Sequence, residues 1–324
     1  MTGVLDLLHR QMLPIGLLTV AVVGLVWPMP GRAMGQLPTQ YVAVSAIFVC
    51  AGLLLRTDEI RDALRAWRAT GWGVVSILFV TPVIGGVIAF AAPMDPAFQL
   101  GLALFVCMPT TLSSGIALTT QARGNAALAL LLTVVTNLAG IFTIPFVLVA
   151  VLGTFGKIEM STWDLLVKLC LVILVPLLAG RWLRRRILGW VDANRSRITT
   201  LSNLALISIP WMKFSESSDR LAQVAITDLL VLVAAGLFVH AVFLLLNAGV
   251  SRALRLELAQ RKAVILMASQ KTLPVALTVL ALIPDSVLSP DVKGLIAIPC
   301  ITSHMGQIFV DAIIATRWSA ASDS

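Results

Sequence analysis

Two short polar stretches, Met108-Pro-Thr-Thr-Leu-Ser-Ser-Gly115 and Ser269-Gln-Lys-Thr-Leu-Pro274, each interrupt an otherwise apolar, membrane-length segment near its middle. They fall at corresponding places in the two halves of the chain. Hydrocarbon offers no water to backbone groups. Helix-breaking sequence at that depth therefore persists only where protein or a wet cavity satisfies the released N–H and C=O groups. A matched pair of such breaks is the mark of a secondary transporter, whose binding site lies where the broken helices meet.

Composition agrees with membrane residence. Hydrophobic residues make up 58% of the 324 positions and charged residues 12%, against about 25% charged in soluble domains. The formal net charge of +8 does not form a nucleic-acid surface. Its basic residues sit in short connections such as Arg181-Trp-Leu-Arg-Arg-Arg186, with no folded module around them. Cys50, Cys107, Cys170 and Cys300 lie inside apolar segments without paired ligand spacing, as small packing residues do. His9, His240 and His304 are too dispersed to form a metal set. The apolar run from Leu13 to Val26 lacks a small-residue cleavage site and is expected to be a retained first span.

A spanning helix needs about 20 mainly apolar residues. Ten segments qualify, at residues 11–27, 38–55, 70–92, 96–121, 125–152, 162–182, 198–213, 223–249, 261–283 and 292–316. With both termini inside, seventeen Arg and Lys fall on the inner side. The outer side holds Arg32, Lys157, Lys213, Arg220 and Lys293, with Lys168 near it. That asymmetry predicts cytoplasmic termini in a cell membrane.

The halves echo one another. Thr111-Leu112 followed by Ala117-Leu118-Thr119 matches Thr272-Leu273 followed by Ala276-Leu277-Thr278. Thr136-Asn-Leu-Ala-Gly-Ile-Phe142 matches Ser303-His-Met-Gly-Gln-Ile-Phe309. The expected organisation is one integral membrane domain of two five-helix repeats, 1–153 and 154–324. An odd number of spans per repeat inverts the second relative to the first.

The second half-helix at each break begins with free N–H groups and the positive end of its dipole, which suits an anion. The first half-helices end in free carbonyls, which suit a cation. Thr111, Leu112, Ser113, Asn137, Thr272, Leu273 and His304 are therefore the expected solute contacts. Ser113 and Ser114 either cap the fourth segment's second half or ligate an ion. Thr133, Thr136, Asn137 and Gly140 share one helix face, serving either interhelical hydrogen bonds or the ion. Lys271 lies roughly 15 Å from the nearer end of its helix, and a charged lysine there costs about 2.5–3.5 kcal/mol. It must line a wet cavity, have a partner, or be partly neutral. His304, Gln307 and Asp311 share a face of the tenth segment, with Asp311 either a longer-range partner of Lys271 or bonded to Arg317.

At these residues the chain resembles the bile acid:sodium symporter family, in its bacterial and plastid metabolite-cotransporter branch. The resemblance rests on Cys107-Met-Pro-Thr-Thr-Leu-Ser-Ser-Gly-Ile-Ala-Leu-Thr119, on Gly124-Asn125 with the run through Pro145, and on Ser269-Gln-Lys-Thr-Leu-Pro-Val-Ala276. It implies an all-α fold of ten helices with crossed, broken helices 4 and 9. Helices 3–5 and 8–10 would form a core and helices 1, 2, 6 and 7 a panel. It also implies sodium-coupled import of an organic anion, with Ser113, Ser114, Thr133, Thr136 and Asn137 near the sodium ligands. Sodium-coupled members carry an acidic residue at the second break, whereas here no Asp or Glu lies between Glu257 and Asp285. Gln270 and Lys271 occupy that region, and Lys271 is expected to replace one coupling cation, with Gln270 and Gln307 beside it.

The sequence thus predicts ion-coupled symport, by sodium or protons, of a small organic anion through alternating access. The competing transport mode is cation/proton antiport or anion efflux on a related inverted repeat. No catalytic residue set, cofactor, nucleic acid, obligate protein partner or metal beyond Na⁺ is expected; the lipid bilayer is the evident partner. An intramembrane enzyme would need a nucleophile or metal cluster at one depth. A sensor would usually bring a soluble output domain.

Overall fold

The computed structural model describes residues 12–55, 66–111, 114–153 and 161–320. Among them the chain is helical, with no strand. The helices are α1 (Met12–Val26), α2 (Pro28–Gly35), α3 (Thr39–Leu54), α4 (Trp67–Ala91), α5 (Pro96–Val106), α6 (Ser114–Gln121), α7 (Ala126–Val151) and α8 (Thr162–Arg186). They continue as α9 (Leu188–Ala193), α10 (Arg195–Glu216), α11 (Ser218–Leu221), α12 (Ile226–Ala253), α13 (Leu258–Ser269), α14 (Leu273–Leu282) and α15 (Pro290–Ala320). Among the described residues six continuous or nearly continuous helical stretches are long and apolar enough to cross a bilayer, and α1 with α2 is long and apolar enough as a pair but is bent by 100°, as a broken span or a re-entrant loop would be. This is a polytopic membrane protein. The bend falls at Trp27, where Pro28 starts a new helix with its missing N–H at a position that needs none.

The chain folds into two compact units, each built from separated stretches. The first comprises residues up to 55, 164–224 and 277–298. Here α3 packs along α8 and α10, and α1 and α2 pack on α10. Small residues set the closest approach: a Cβ on Gly52 would fall on the Leu177 carbonyl, and one on Gly180 on the Val49 carbonyl. Lipid tails are as apolar as leucine, so such backbone contact supplies the packing that holds membrane helices together. Arg181 and Arg184 of α8 donate to the Leu55 and Leu53 carbonyls, at 2.8 and 2.7 Å. They satisfy acceptors that the end of α3 leaves open.

The second unit comprises residues 56–163, 225–276 and 299–324. Its centre is α13, whose residues from Lys262 to Ser269 are all buried. Around α13 lie α4, α6, α7 and α12. Residues 76–80 of α4 form a π-turn ending just before Thr81-Pro82. That turn, together with the gaps after α5 and α13, positions the polar groups below.

Candidate functional site

The first gap follows from Pro109, which has no N–H to donate. Helix α5 tightens at its end, where the Cys107 and Met108 amides bond carbonyls three residues back. Residues 109–111 are non-helical before α6 begins at Ser114. Two of the expected site residues, Leu112 and Ser113, lie outside the described residues. The Thr111 hydroxyl accepts from the Gly115 amide at 3.0 Å. Thr111 therefore satisfies a first-turn donor of α6, and Ser114, half-buried, makes no described hydrogen bond.

In the second gap, Gln270, Lys271 and Thr272 are non-helical, with Gln270 extended, and Pro274 again removes a donor. The side chain of Gln307 replaces the missing helix partners. Its Oε1 accepts from the Lys271 amide at 2.9 Å and its Nε2 donates to the Lys271 carbonyl at 2.6 Å. His304 Nδ1 lies 3.3 Å from the same carbonyl and 3.0 Å from Gln307 Nε2. The two gaps are stitched directly to each other. The Thr272 amide donates to the Pro109 carbonyl at 3.0 Å, and the Thr110 hydroxyl to the Met267 carbonyl at 2.5 Å. The Thr111 hydroxyl donates to Gln270 Oε1 at 2.8 Å.

Lys271 is 1% exposed. Its ammonium donates to the Ile77 carbonyl at 2.8 Å and faces the Phe243 ring at 5.9 Å, a favourable cation–π approach. Helix chemistry explains why Ile77 has a carbonyl to offer. In the π-turn the Thr81 amide bonds the Ser76 carbonyl, and the donor five residues after Ile77 is Pro82, which has no N–H. No described carboxylate pairs with Lys271. Beside it is a cavity of about 10 Å³, also lined by Ser303, His240 and Gln307, room for about one water. The buried Ser303 hydroxyl has no partner there.

Asp311, 0% exposed, bonds neither Lys271 nor Arg317. Its carboxylate accepts from Gln270 Nε2 at 2.6 Å and meets His240 Nε2 at 2.9 Å. Seven residues along the same face of α12, Asn247 accepts from Trp72 and Ser76 at 3.0 and 2.8 Å and donates to the Phe243 carbonyl at 2.8 Å. These satisfied networks tie α4, α12 and α15 to the second gap.

The expected ion ligands divide. Asn137 Nδ2 donates to the Thr110 carbonyl at 3.0 Å, and the Thr133 hydroxyl, which donates to its own helix at the Ala129 carbonyl at 2.9 Å, also lies 3.3 Å from the Thr111 carbonyl. Both therefore face the first gap, and Gly140 packs on Pro109. The Thr136 hydroxyl turns back to its own helix at the Leu132 carbonyl, 2.7 Å away, and reaches neither gap. Leu273 is buried and apolar at the start of α14. Asn137 Oδ1 and Thr272 Oγ1 are buried without a hydrogen-bond partner. Orphaned oxygens of this kind call for a water or an ion, and hard oxygen donors suit an alkali cation.

Sequence reasoning passed over Thr110, His240, Asn247 and the Ile77 carbonyl. The seven-residue spacing of His240 and Asn247 in an apolar helix was the available signal for two of them. A main-chain acceptor released by a π-turn leaves only the Thr-Pro pair as a trace.

Comparison with known proteins gives a match to the SBF-like CPA transporter family over residues 11–320. A protein of Oryza sativa subsp. indica named "Probable sodium/metabolite cotransporter BASS4, chloroplastic" is 36% identical, covering 96% of this chain and 76% of its own. The Arabidopsis thaliana protein of the same name is 33% identical over 94% and 72%. "Sodium/bile acid cotransporter 7-B" of Xenopus laevis is 25% identical over 96% and 92%. These relatives are named as cotransporters, not enzymes.

Proposed function

The chain belongs to the SBF-like CPA transporter family, and from that premise we propose that it is a secondary active symporter for a small organic anion. Sodium is the first-choice coupling ion, as in the names of its relatives. The carrying observation is the pair of stitched gaps. Within one unit they gather the uncommitted oxygens of Asn137 and Thr272 with the buried ammonium of Lys271. Ser113, Ser114, Thr133 and Asn137 would hold sodium. Thr111, Leu112, Thr272, Leu273 and His304 would border the solute. Ten spans in two inverted repeats, divided into core and panel, would alternate the site between the two sides of a cytoplasmic membrane, with both termini inside.

In this reading Lys271 stands where a second coupling cation would sit, its ammonium held by a carbonyl as a metal ion would be. His240 and Asp311 form a buried hydrogen-bonded pair next to Gln270; protons are the alternative coupling ion and antiport the alternative mode. Uptake into proteoliposomes under imposed sodium or proton gradients, for wild type and Lys271→Met, tests the assignment. The variant should lose uptake or acquire dependence on an added cation. Unchanged rate and ion dependence would defeat it. Exchange of ions without any organic solute would select antiport.

A further inference from the structure

A cavity of about 340 Å³ opens between the end of α12, the start of α13 and the end of α15, all within the second unit. It is separate from the paired gaps and falls within the range of about 300–1,000 Å³ that holds small ligands. Among the described residues three cations line it, Arg252, Arg261 and Lys262, and no carboxylate does. Lys262 is fixed by donating to the Ala122 carbonyl at 2.8 Å. Neither the Arg252 nor the Arg261 side chain makes a hydrogen bond or ion pair among the described residues. Arg261 Nε is buried with no partner, so a guanidinium N–H is withdrawn from water with nothing to receive it. The cavity also includes Leu258, the first residue of α13, and Glu257 before it makes no side-chain capping bond.

Arg252 and Arg261, gathered with Lys262 at one cavity and with no described side-chain partner of their own, favour an anion. Guanidinium groups bind phosphate in a planar, two-pronged fashion that lysine cannot reproduce. The remaining wall is apolar, with Leu258 and Trp318. Basic residues near the inner surface attract anionic headgroups, and indole rings settle at that interface. We propose that this cavity binds a phosphate-bearing anion, supplied by the headgroup of an anionic phospholipid or by a soluble phosphate.

Delipidated protein in neutral detergent provides the test, with melting temperature followed by scanning fluorimetry and no solute or ion gradient present. The result is therefore independent of the transport reading. Phosphatidylglycerol, phosphatidylcholine and inorganic phosphate are titrated separately. Phosphatidylglycerol should raise the melting temperature saturably and phosphatidylcholine should not. Arg252→Gln with Arg261→Gln should raise the half-saturating concentration about 25-fold, about fivefold for each charge. Ala248→Trp keeps every cation but fills the space, and should abolish the shift. An equal, variant-sensitive shift with inorganic phosphate alone assigns the site to a soluble ligand. Absence of any shift, or a shift that persists in both the double variant and Ala248→Trp, overturns the proposal.

Discussion

Gln270 uses both ends of its amide, accepting from Thr111 and donating to Asp311. An ionised carboxylate in its place could only accept. Gln270→Glu, which would install the acidic residue that the family resemblance leads one to expect, replaces the donor with a second carboxylate facing Asp311. The expected loss is about 1.5–3 kcal/mol, the value of a hydrogen bond to a charged group, read as a lowered melting temperature. Adding Asp311→Asn should recover most of it, and a double variant no more stable than Gln270→Glu would refute the pairing. Asn247→Leu should lower stability by about 1–2 kcal/mol, the range for interhelical hydrogen bonds in membranes, because the Trp72 and Ser76 donors lose their acceptor. Lys271, Asn137 and Gln307 were legible in the sequence because a polar side chain inside an apolar segment needs a reason to be there. Their partners were not: Asp311 could be placed on a face but not matched to Gln270 and His240, since pairing across helices depends on rotations that uniformly apolar spans do not encode.

At the level of the helix, Pro82 leaves Ile77 with a carbonyl that Lys271 takes. Pro82→Ala restores a backbone donor that competes for it. Helix α4 should be no less stable, since proline is the poorest helix former, so the melting temperature should hold or rise. Uptake should nevertheless fall about tenfold, as expected from losing a charge-assisted hydrogen bond of about 1.5 kcal/mol. Full activity in this variant would show that the lysine anchor is dispensable. Both gaps could be read in advance because Pro109 and Pro274 interrupt the helical ladder in polar surroundings. The bend at Trp27 and the short helix α9 escaped notice. Neither interrupts the middle of an apolar span, since the bend closes one at Pro28 and α9 lies in the polar connection after Arg186, and hydropathy reports length far better than direction.

For the molecule as a whole, the asymmetric distribution of arginine predicts an orientation that can be measured. In a variant lacking the four native cysteines, Ser286→Cys should react with a membrane-impermeant maleimide in right-side-out vesicles, and Arg186→Cys only after the membrane is opened. The reverse pattern would invert the proposed topology. Close packing of α3 on α8 makes a second global prediction. Gly180→Leu forces the helices apart at the Val49 backbone and should cost about 1–3 kcal/mol of stability, as overpacking does, measured by thermal melting. Hydropathy alone does not assign a stretch to either compact unit, because each unit collects stretches more than a hundred residues apart. Gln307 meanwhile grips both the amide and the carbonyl of Lys271. One side chain thereby does for a single residue what a neighbouring strand would do. Freezing a residue's dihedrals sacrifices about 1–2 kcal/mol of chain entropy. Because the grip comes from the protein itself, that disorder is surrendered once, at folding, and the opening stays ready between one passenger and the next.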